Sequence, residues 1–283
     1  MLSLFFGIAA ALSWGVHDVC VSFAAARAGA ALAFLTVLAI GVLIVAPVAL
    51  LWGDWSAVSG ASFLLATASG LTYAGGGYSL YRAFAIGPVR LVAPVIGAFP
   101  ILSLIWAAAQ GFPPSVGQAL AVLVIVAGVA LSAILSGHGP NNGSPTRLWP
   151  AFIWSTAGAC GFALTFALGQ AATQSGAELP VIFISRSAAF LGLAAATLAY
   201  GNRPILRPAP WALLAVMGGC DALALGLVQA AGGLPHPEFA SVAASVFGMV
   251  TILLAWAFLQ EKMSAPQWFS VALVFAGIGY LGL

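Results

Sequence analysis

Long apolar stretches alternate with short polar breaks along the whole chain. Ten stretches approach the roughly 20 apolar residues that a helix needs to cross a hydrocarbon core: Leu2–Ala24, Ala30–Leu51, Ser62–Tyr81, Leu91–Ala109, Val116–Leu135, Trp149–Ala171, Pro180–Tyr200, Trp211–Ala231, Glu238–Leu259 and Ala265–Leu283. The runs are continuous rather than alternating in twos, which predicts helices and not the strands of a closed barrel. Hydrocarbon offers no partner to a backbone amide, so each run must satisfy its own hydrogen bonds. Almost nothing remains for a soluble domain.

One break differs from the others. Gly137-His-Gly-Pro-Asn-Asn-Gly-Ser-Pro-Thr-Arg-Leu148 has the composition of a linker, and it divides the chain into 1–136 and 149–283, five spans each. At an offset of 150 residues Val92 matches Val242, Ala93 matches Ala243, Leu104 matches Leu254, Trp106-Ala107 matches Trp256-Ala257, and Gln110 matches Gln260. A one-residue slip then aligns Ala127-Gly128 with Ala276-Gly277. An odd number of spans per half turns the second copy upside down relative to the first. The expected fold is therefore an all-α membrane protein of ten transmembrane helices, built as two inverted five-helix repeats, with a substrate site near the midplane between them.

Composition agrees, with 63% hydrophobic and 5% charged residues, against about 25% charged in soluble domains, and a mean hydropathy of +1.11. Charge then orients the ladder. Arg27, Arg82, Arg90, Arg147, Arg203, Arg207 and Lys262 all fall in alternate breaks, and the breaks between hold no Lys or Arg. Basic residues of short loops stay on the cytoplasmic side. The chain is thus expected in the inner (plasma) membrane, multi-pass, with both termini periplasmic. Leu2–Leu12 lacks the basic start of a signal peptide and is expected as a retained first span.

The informative side chains are those the bilayer penalises, since a charge at membrane depth costs at least ~2.5–3.5 kcal/mol. Asp221 lies near the middle of the eighth span, after Gly218-Gly219; it reads as a proton or cation site, or as a neutral acid satisfied by backbone. His17 and Asp18 follow Trp14 in the first span. His17 titrates near neutrality and Asp18 suits an ammonium or a proton, or the two together cap a shorter helix. Arg186 is the one basic residue inside a span; it pairs with a carboxylate, holds a substrate carboxylate, or snorkels.

Aromatics and prolines add a second layer. Tyr73, Tyr78 and Tyr81 share the third span with Gly75-Gly76-Gly77, which should thin or weaken that helix. Helical spacing puts Tyr73 and Tyr81 on one face and offsets Tyr78. With Trp14 and Trp154 they suit a flat or amphipathic solute by stacking and cation–π contact, while Trp52, Trp55, Trp149, Trp211 and Trp268 fit interfacial belts. Pro94 and Pro100 should bend the fourth span, either as a gate or as a static packing feature. Cys20, Cys160 and Cys220 read as small buried hydrophobes, without metal spacing.

These residues resemble the EamA-type transporters of the drug/metabolite transporter superfamily over the whole chain. Trp14-Gly15 looks like the family's early Trp-Gly. Leu259-Gln-Glu-Lys-Met-Ser-Ala-Pro-Gln-Trp268 with Gly277 is similar to its closing pattern, Arg186 stands where the family often has Arg before an apolar run, and Thr36 is its rough equivalent in the second span. The first half reads Gln110-Gly111 at the matching place and lacks the family's Glu. The resemblance implies an alternating-access carrier of small metabolites, an exporter of amino acids or of toxic organic compounds.

Other classes leave weaker traces. An intramembrane enzyme should carry a catalytic set, but His-Glu-x-x-His, Gly-x-Gly-Asp and a Ser elbow with a matched His are absent, and His138 and His236 stand alone. A channel-like facilitator is the alternative to a carrier. Eight scattered basic residues cannot neutralise a run of phosphates, so no nucleic-acid partner is expected. The expected partners are a small-molecule substrate and membrane lipid, with protons as the coupling ion if the carrier is proton-coupled and not a facilitator. No cofactor or metal is expected, and a monomer holds both halves of the site.

Overall fold

The computed structural model describes residues 2–99, 101–102, 105, 115–136, 145–174, 177–199, 211–235, 238–260 and 263–281. Its elements are helices: α1 (Leu2–Ala28), α2 (Ala30–Trp52), α3 (Gly60–Ile86), α4 (Val89–Gly97), α5 (Val116–Ser136), α6 (Pro145–Thr173), α7 (Glu178–Ala199), α8 (Trp211–Ala230), α9 (Glu238–Ala244), α10 (Phe247–Leu254) and α11 (Ala265–Leu281). No strand occurs among the described residues. Among the described residues five helices are long and apolar enough to cross a membrane, over Leu2–Val21, Ala30–Trp52, Leu148–Thr173, Glu178–Ala199 and Trp211–Gly233. This is the build of an all-α membrane protein.

Burial is arranged accordingly. Leu43, Leu51, Leu64, Leu123, Leu198 and Phe258 are among the most exposed side chains, while Arg186, Asp221, Asp18 and His17 are buried. Water would favour the reverse. Helix α3 has 27 residues, about 40 Å at 1.5 Å per residue, and is more than long enough to span. Its Ser, Gly and Tyr content lowers its hydropathy because Ser69, Tyr73, Gly76, Gly77 and Tyr81 face the interior.

Local signals fix several ends. The Ser59 hydroxyl accepts the Ser62 amide at 3.0 Å and caps α3, starting it before Ser62, where hydropathy begins to rise. Pro145 opens α6 inside the expected linker, since a missing N–H costs nothing in a first turn. Gln260, with φ 53, ends the π-helical turn Ala255–Leu259.

The expected ninth span is not one helix. It is divided at Ser245–Val246, where the Val246 amide bonds to Ala243 O three residues back and tightens the turn. The break falls on Ser245 and Val246, without a proline within the span. α4 likewise stops at Gly97, three residues after Pro94; Pro100 lies outside the described residues. The two breaks pack together: a Cβ on Gly97 would stand 3.2 Å from Ser245 O, and one on Gly248 2.9 Å from Ala93 O.

Packing runs across the linker. α3 lies along α6 and α7, α1 along α8, α9 and α10, α2 against α7 and α8, α4 against α6 and α10, and α5 against α11. The glycine triplet leaves α3 continuous and thins it, so that Gly76 meets the Gly161 backbone of α6.

Candidate functional site

Four helices bring the penalised side chains to one place. Arg186 on α7 donates from Nη1 to Asp221 Oδ2 on α8 at 2.5 Å, and both side chains are within 1% of fully buried. Tyr73 on α3 donates its hydroxyl to Asp221 Oδ1, and Trp14 on α1 donates Nε1–H to the same oxygen at 3.2 Å. Three donors on two oxygens fix the orientation of this carboxylate. The Arg186 guanidinium also stands over the Tyr73 ring, 5.6 Å from its centroid. The sequence reading of Arg186 and Asp221 as a buried ion pair describes this contact, and the snorkelling alternative does not.

Small residues make room for it. A Cβ on Gly41 of α2 would lie 2.8 Å from Arg186 Cδ and 2.9 Å from its Nη1, so the arginine rests on bare backbone. Gly77 does the same for the Phe34 ring. Phe34 then contacts Tyr73 edge-on at 5.8 Å and Tyr81 at 4.8 Å. Tyr73 and Tyr81 share a face, as their spacing indicates.

A second chain of bonds runs beside the first. His17 Nε2 is 2.8 Å from Tyr81 Oη, and His17 Nδ1 is 2.9 Å from Asp18 Oδ1. In the neutral tautomer with hydrogen on Nδ1, Tyr81 donates to His17 and His17 donates to Asp18. This accounts for both ring nitrogens with a neutral imidazole. Both residues are buried within α1, well short of its end, so they are not helix caps.

Trp14, His17, Asp18, Tyr73, Tyr81 and Asp221 line one cavity. Phe34, Phe162, Phe166 and Phe247 complete its wall. Trp14 contacts the last three rings at 6.5, 5.5 and 6.0 Å. Closed in this way, the space has room for about one water molecule.

Tyr78 and Trp154 do not belong to this group. They contact each other edge-on at 5.8 Å, and Tyr78 lines a separate cleft of about 600 Å³ with Gly75, Leu71 and Thr197. Five residues after Tyr73 a helix has turned well past one full turn, which carries Tyr78 to the outer face. Cys160 is exposed, and Cys20 and Cys220 are half-buried, with Cys20 packed against the core, so none is fully buried as expected. Among the described residues no group of three or more His, Cys, Asp and Glu could hold a metal ion.

A third polar cluster went unread in the sequence. Gln229 on α8 donates from Nε2 to Ser69 Oγ at 3.2 Å and Ser185 Oγ at 3.0 Å, and its carbonyl accepts from Thr173 Oγ1 at 2.8 Å. Gln170 bridges Val228 O and Ser241 Oγ at 3.3 and 2.9 Å. Ser185 adjoins Arg186, and Ser69 is one turn before Tyr73. The cluster therefore sits next along α3, α7 and α8. A glutamine in each of two apolar spans was the available signal.

No protein-family model matches the chain, and no curated protein matches it. In fold it is similar to a protein of known crystal structure, with a TM-score of 0.69 and 16% sequence identity over 98% of this chain and 95% of that one.

Proposed function

We propose that the chain is a secondary transporter of the EamA type, carrying small amphipathic or aromatic metabolites across the inner membrane by alternating access, outward from the cell. The observation that carries this reading is the buried set Trp14, Tyr73, Arg186 and Asp221, which joins α1 and α3 to α7 and α8 around a closed aromatic cavity. Charges at this depth are expensive and mark solute or ion pathways. A site built by both halves is one that opens when the halves rock.

The packing pattern supports an inverted repeat of ten spans. Exchanging the first five spans for the second five turns the α3–α6 contact into α8–α1, α3–α7 into α8–α2, and α4–α6 into the contact of α9 and α10 with α1. The α2–α7, α4–α10 and α5–α11 contacts map onto themselves. The breaks after Gly97 and after Ala244 meet each other, the usual place for discontinuous helices in such folds. The sorted basic loops support cytoplasmic placement of the breaks at Arg27, Arg82, Arg90 and Lys262, hence periplasmic termini. One chain holds both halves, so a monomer suffices.

Flux in proteoliposomes tests the proposal. A panel of amines, amino acids and aromatic acids should reveal saturable uptake and counterflow for at least one class. Ohmic current without saturation would make the protein a channel, and chemical conversion of a solute would make it an enzyme.

A further inference from the structure

The cleft of about 600 Å³ beside Tyr78 lies apart from the aromatic cavity. It runs between α2, α3 and α7, walled by Ala31 on α2, Leu71, Gly75 and Tyr78 on α3, and Gly192 and Ala196 on α7. Its size falls within the roughly 300–1,000 Å³ of ligand pockets. Leu71, Gly75 and Ala196 are exposed, so the cleft opens on the outer face of the bundle, near the exposed Leu191 and Leu198. A Cβ on Gly75 would meet nothing within 4 Å.

The order of groups along α3 defines what fits. Leu71, Gly75, Tyr78 and Arg82 recur at helical spacing and share one face. That face is apolar at Leu71 and Gly75, carries a hydroxyl at Tyr78, and ends on a cation about 6 Å further along the axis at 1.5 Å per residue. Arg82 is exposed and forms no ion pair among the described residues. The Tyr78 ring rests edge-on against Trp154. The same end of the cleft receives the start of α2, which follows Arg27, and the end of α7, which precedes Arg203 and Arg207. No Asp or Glu falls in these breaks, whereas Asp54 and Glu178 stand at the opposite ends of α2 and α7.

We propose that the cleft holds an anionic phospholipid, with an acyl chain along Leu71 and Gly75 and the headgroup phosphate at Tyr78 and Arg82. An apolar cleft open to hydrocarbon fills with an acyl chain, since a void forfeits the dispersion contacts of its wall. Water finds little to bond there, because the Thr197 hydroxyl is spent on Leu193 O at 2.7 Å. Basic groups between helices on the cytoplasmic side select acidic headgroups, and a zwitterionic lipid lacks the net charge that answers them. The cleft joins α2 and α3 of the first half of the chain to α7 of the second, so the lipid bridges the halves. Its binding requires the membrane fold and no transported solute.

Native mass spectrometry of the purified full chain tests this, with dioleoyl phosphatidylglycerol or dioleoyl phosphatidylcholine titrated into the detergent. A single phosphatidylglycerol should be retained, at about fivefold lower lipid concentration than phosphatidylcholine, the preference that one arginine near a headgroup supplies. Arg82→Gln should lose the preference and still retain either lipid. Gly75→Leu fills the cleft and should weaken both lipids by at least about tenfold, because the displaced acyl chain loses its burial. Phosphatidylglycerol should also raise the unfolding temperature of the wild type and not that of Gly75→Leu. If Gly75→Leu does not fold, Ala196→Leu on the facing wall decides. No retained lipid, equal retention of the two lipids by the wild type, a preference that survives Arg82→Gln, or unchanged retention in Gly75→Leu overturns the proposal. A dimer that Gly75→Leu dissolves would give the cleft to a second copy of the chain and overturn it as well.

Discussion

Arg186 on α7 and Asp221 on α8 meet at 2.5 Å with no more than 1% of either side chain exposed. Such a pair gains little over a well-packed apolar pair, because desolvation offsets most of the attraction, but either charge alone is costly. Arg186→Gln and Asp221→Asn should each destabilise the protein by about 3–5 kcal/mol. The double mutant Arg186→Gln/Asp221→Asn should be more stable than either single one. Thermal unfolding in detergent reads this; additive losses would mean the two charges do not depend on each other.

Tyr73 and Trp14 share the other oxygen of Asp221. With the arginine intact, Tyr73→Phe removes one charge-assisted bond, worth about 1.5–3 kcal/mol. Stability should fall by less than in Asp221→Asn. A loss as large as that of Asp221→Asn would place Tyr73, not Arg186, as the main anchor of the carboxylate.

Two glycines on facing helices should respond in opposite senses. A methyl at Gly41 would meet Arg186 at 2.8 Å, whereas one at Gly75 meets nothing within 4 Å. Gly41→Ala should therefore destabilise by about 1–3 kcal/mol. Gly75→Ala should be neutral or stabilising by up to about 1 kcal/mol, because alanine is the better helix former. Equal tolerance at both positions would show that the arginine can move off the α2 backbone at little cost.

The basic loops give a topology that can be read without any substrate. A reporter that fluoresces only in the cytoplasm should be dark at the C-terminus and bright when inserted near Arg203 in the α7–α8 connection. The reverse pattern would invert the placement of every break.

How much of this was legible depended on the kind of signal each residue leaves. Hydrophobic runs located the helices, because a span of apolar residues has few other fates. The shared face of Tyr73 and Tyr81 followed from helical period alone, whereas Tyr78, offset by the same period, was still grouped with them and lines a separate cleft. Arg186 and Asp221 stood out because each is rare within an apolar run, although no period relates two helices and so their pairing was only one option among several. Phe34, Phe162, Phe166 and Phe247 were invisible, since phenylalanine is ordinary in a span whether it faces lipid or the cavity. The break at Ser245–Val246 was missed for a similar reason: proline announces a break in sequence, and a Ser-Val pair does not.

The Gln229 cluster makes a final prediction about motion. Gln229 ties α8 to α3 and α7 through Ser69 and Ser185, and to α6 through Thr173. On the orientation proposed from the basic loops, the start of α3 and the end of α8 would lie on the outer side of Asp221, and these bonds would close the cavity from outside. Ala66 is fully buried one turn outward from Ser69, and a cysteine there is small enough to report access. In a background without Cys20, Cys160 and Cys220, Ala66→Cys should resist a membrane-impermeant maleimide applied from outside. Adding Gln229→Ala removes the donor that links three helices, a loss of about 1–3 kcal/mol that should shift the equilibrium toward the outward-open state by about 5- to 150-fold. Labelling from outside should then rise by a similar factor. Labelling from the cytoplasmic side instead would invert the topology, and no change from either side would make the cluster ordinary packing with no part in gating.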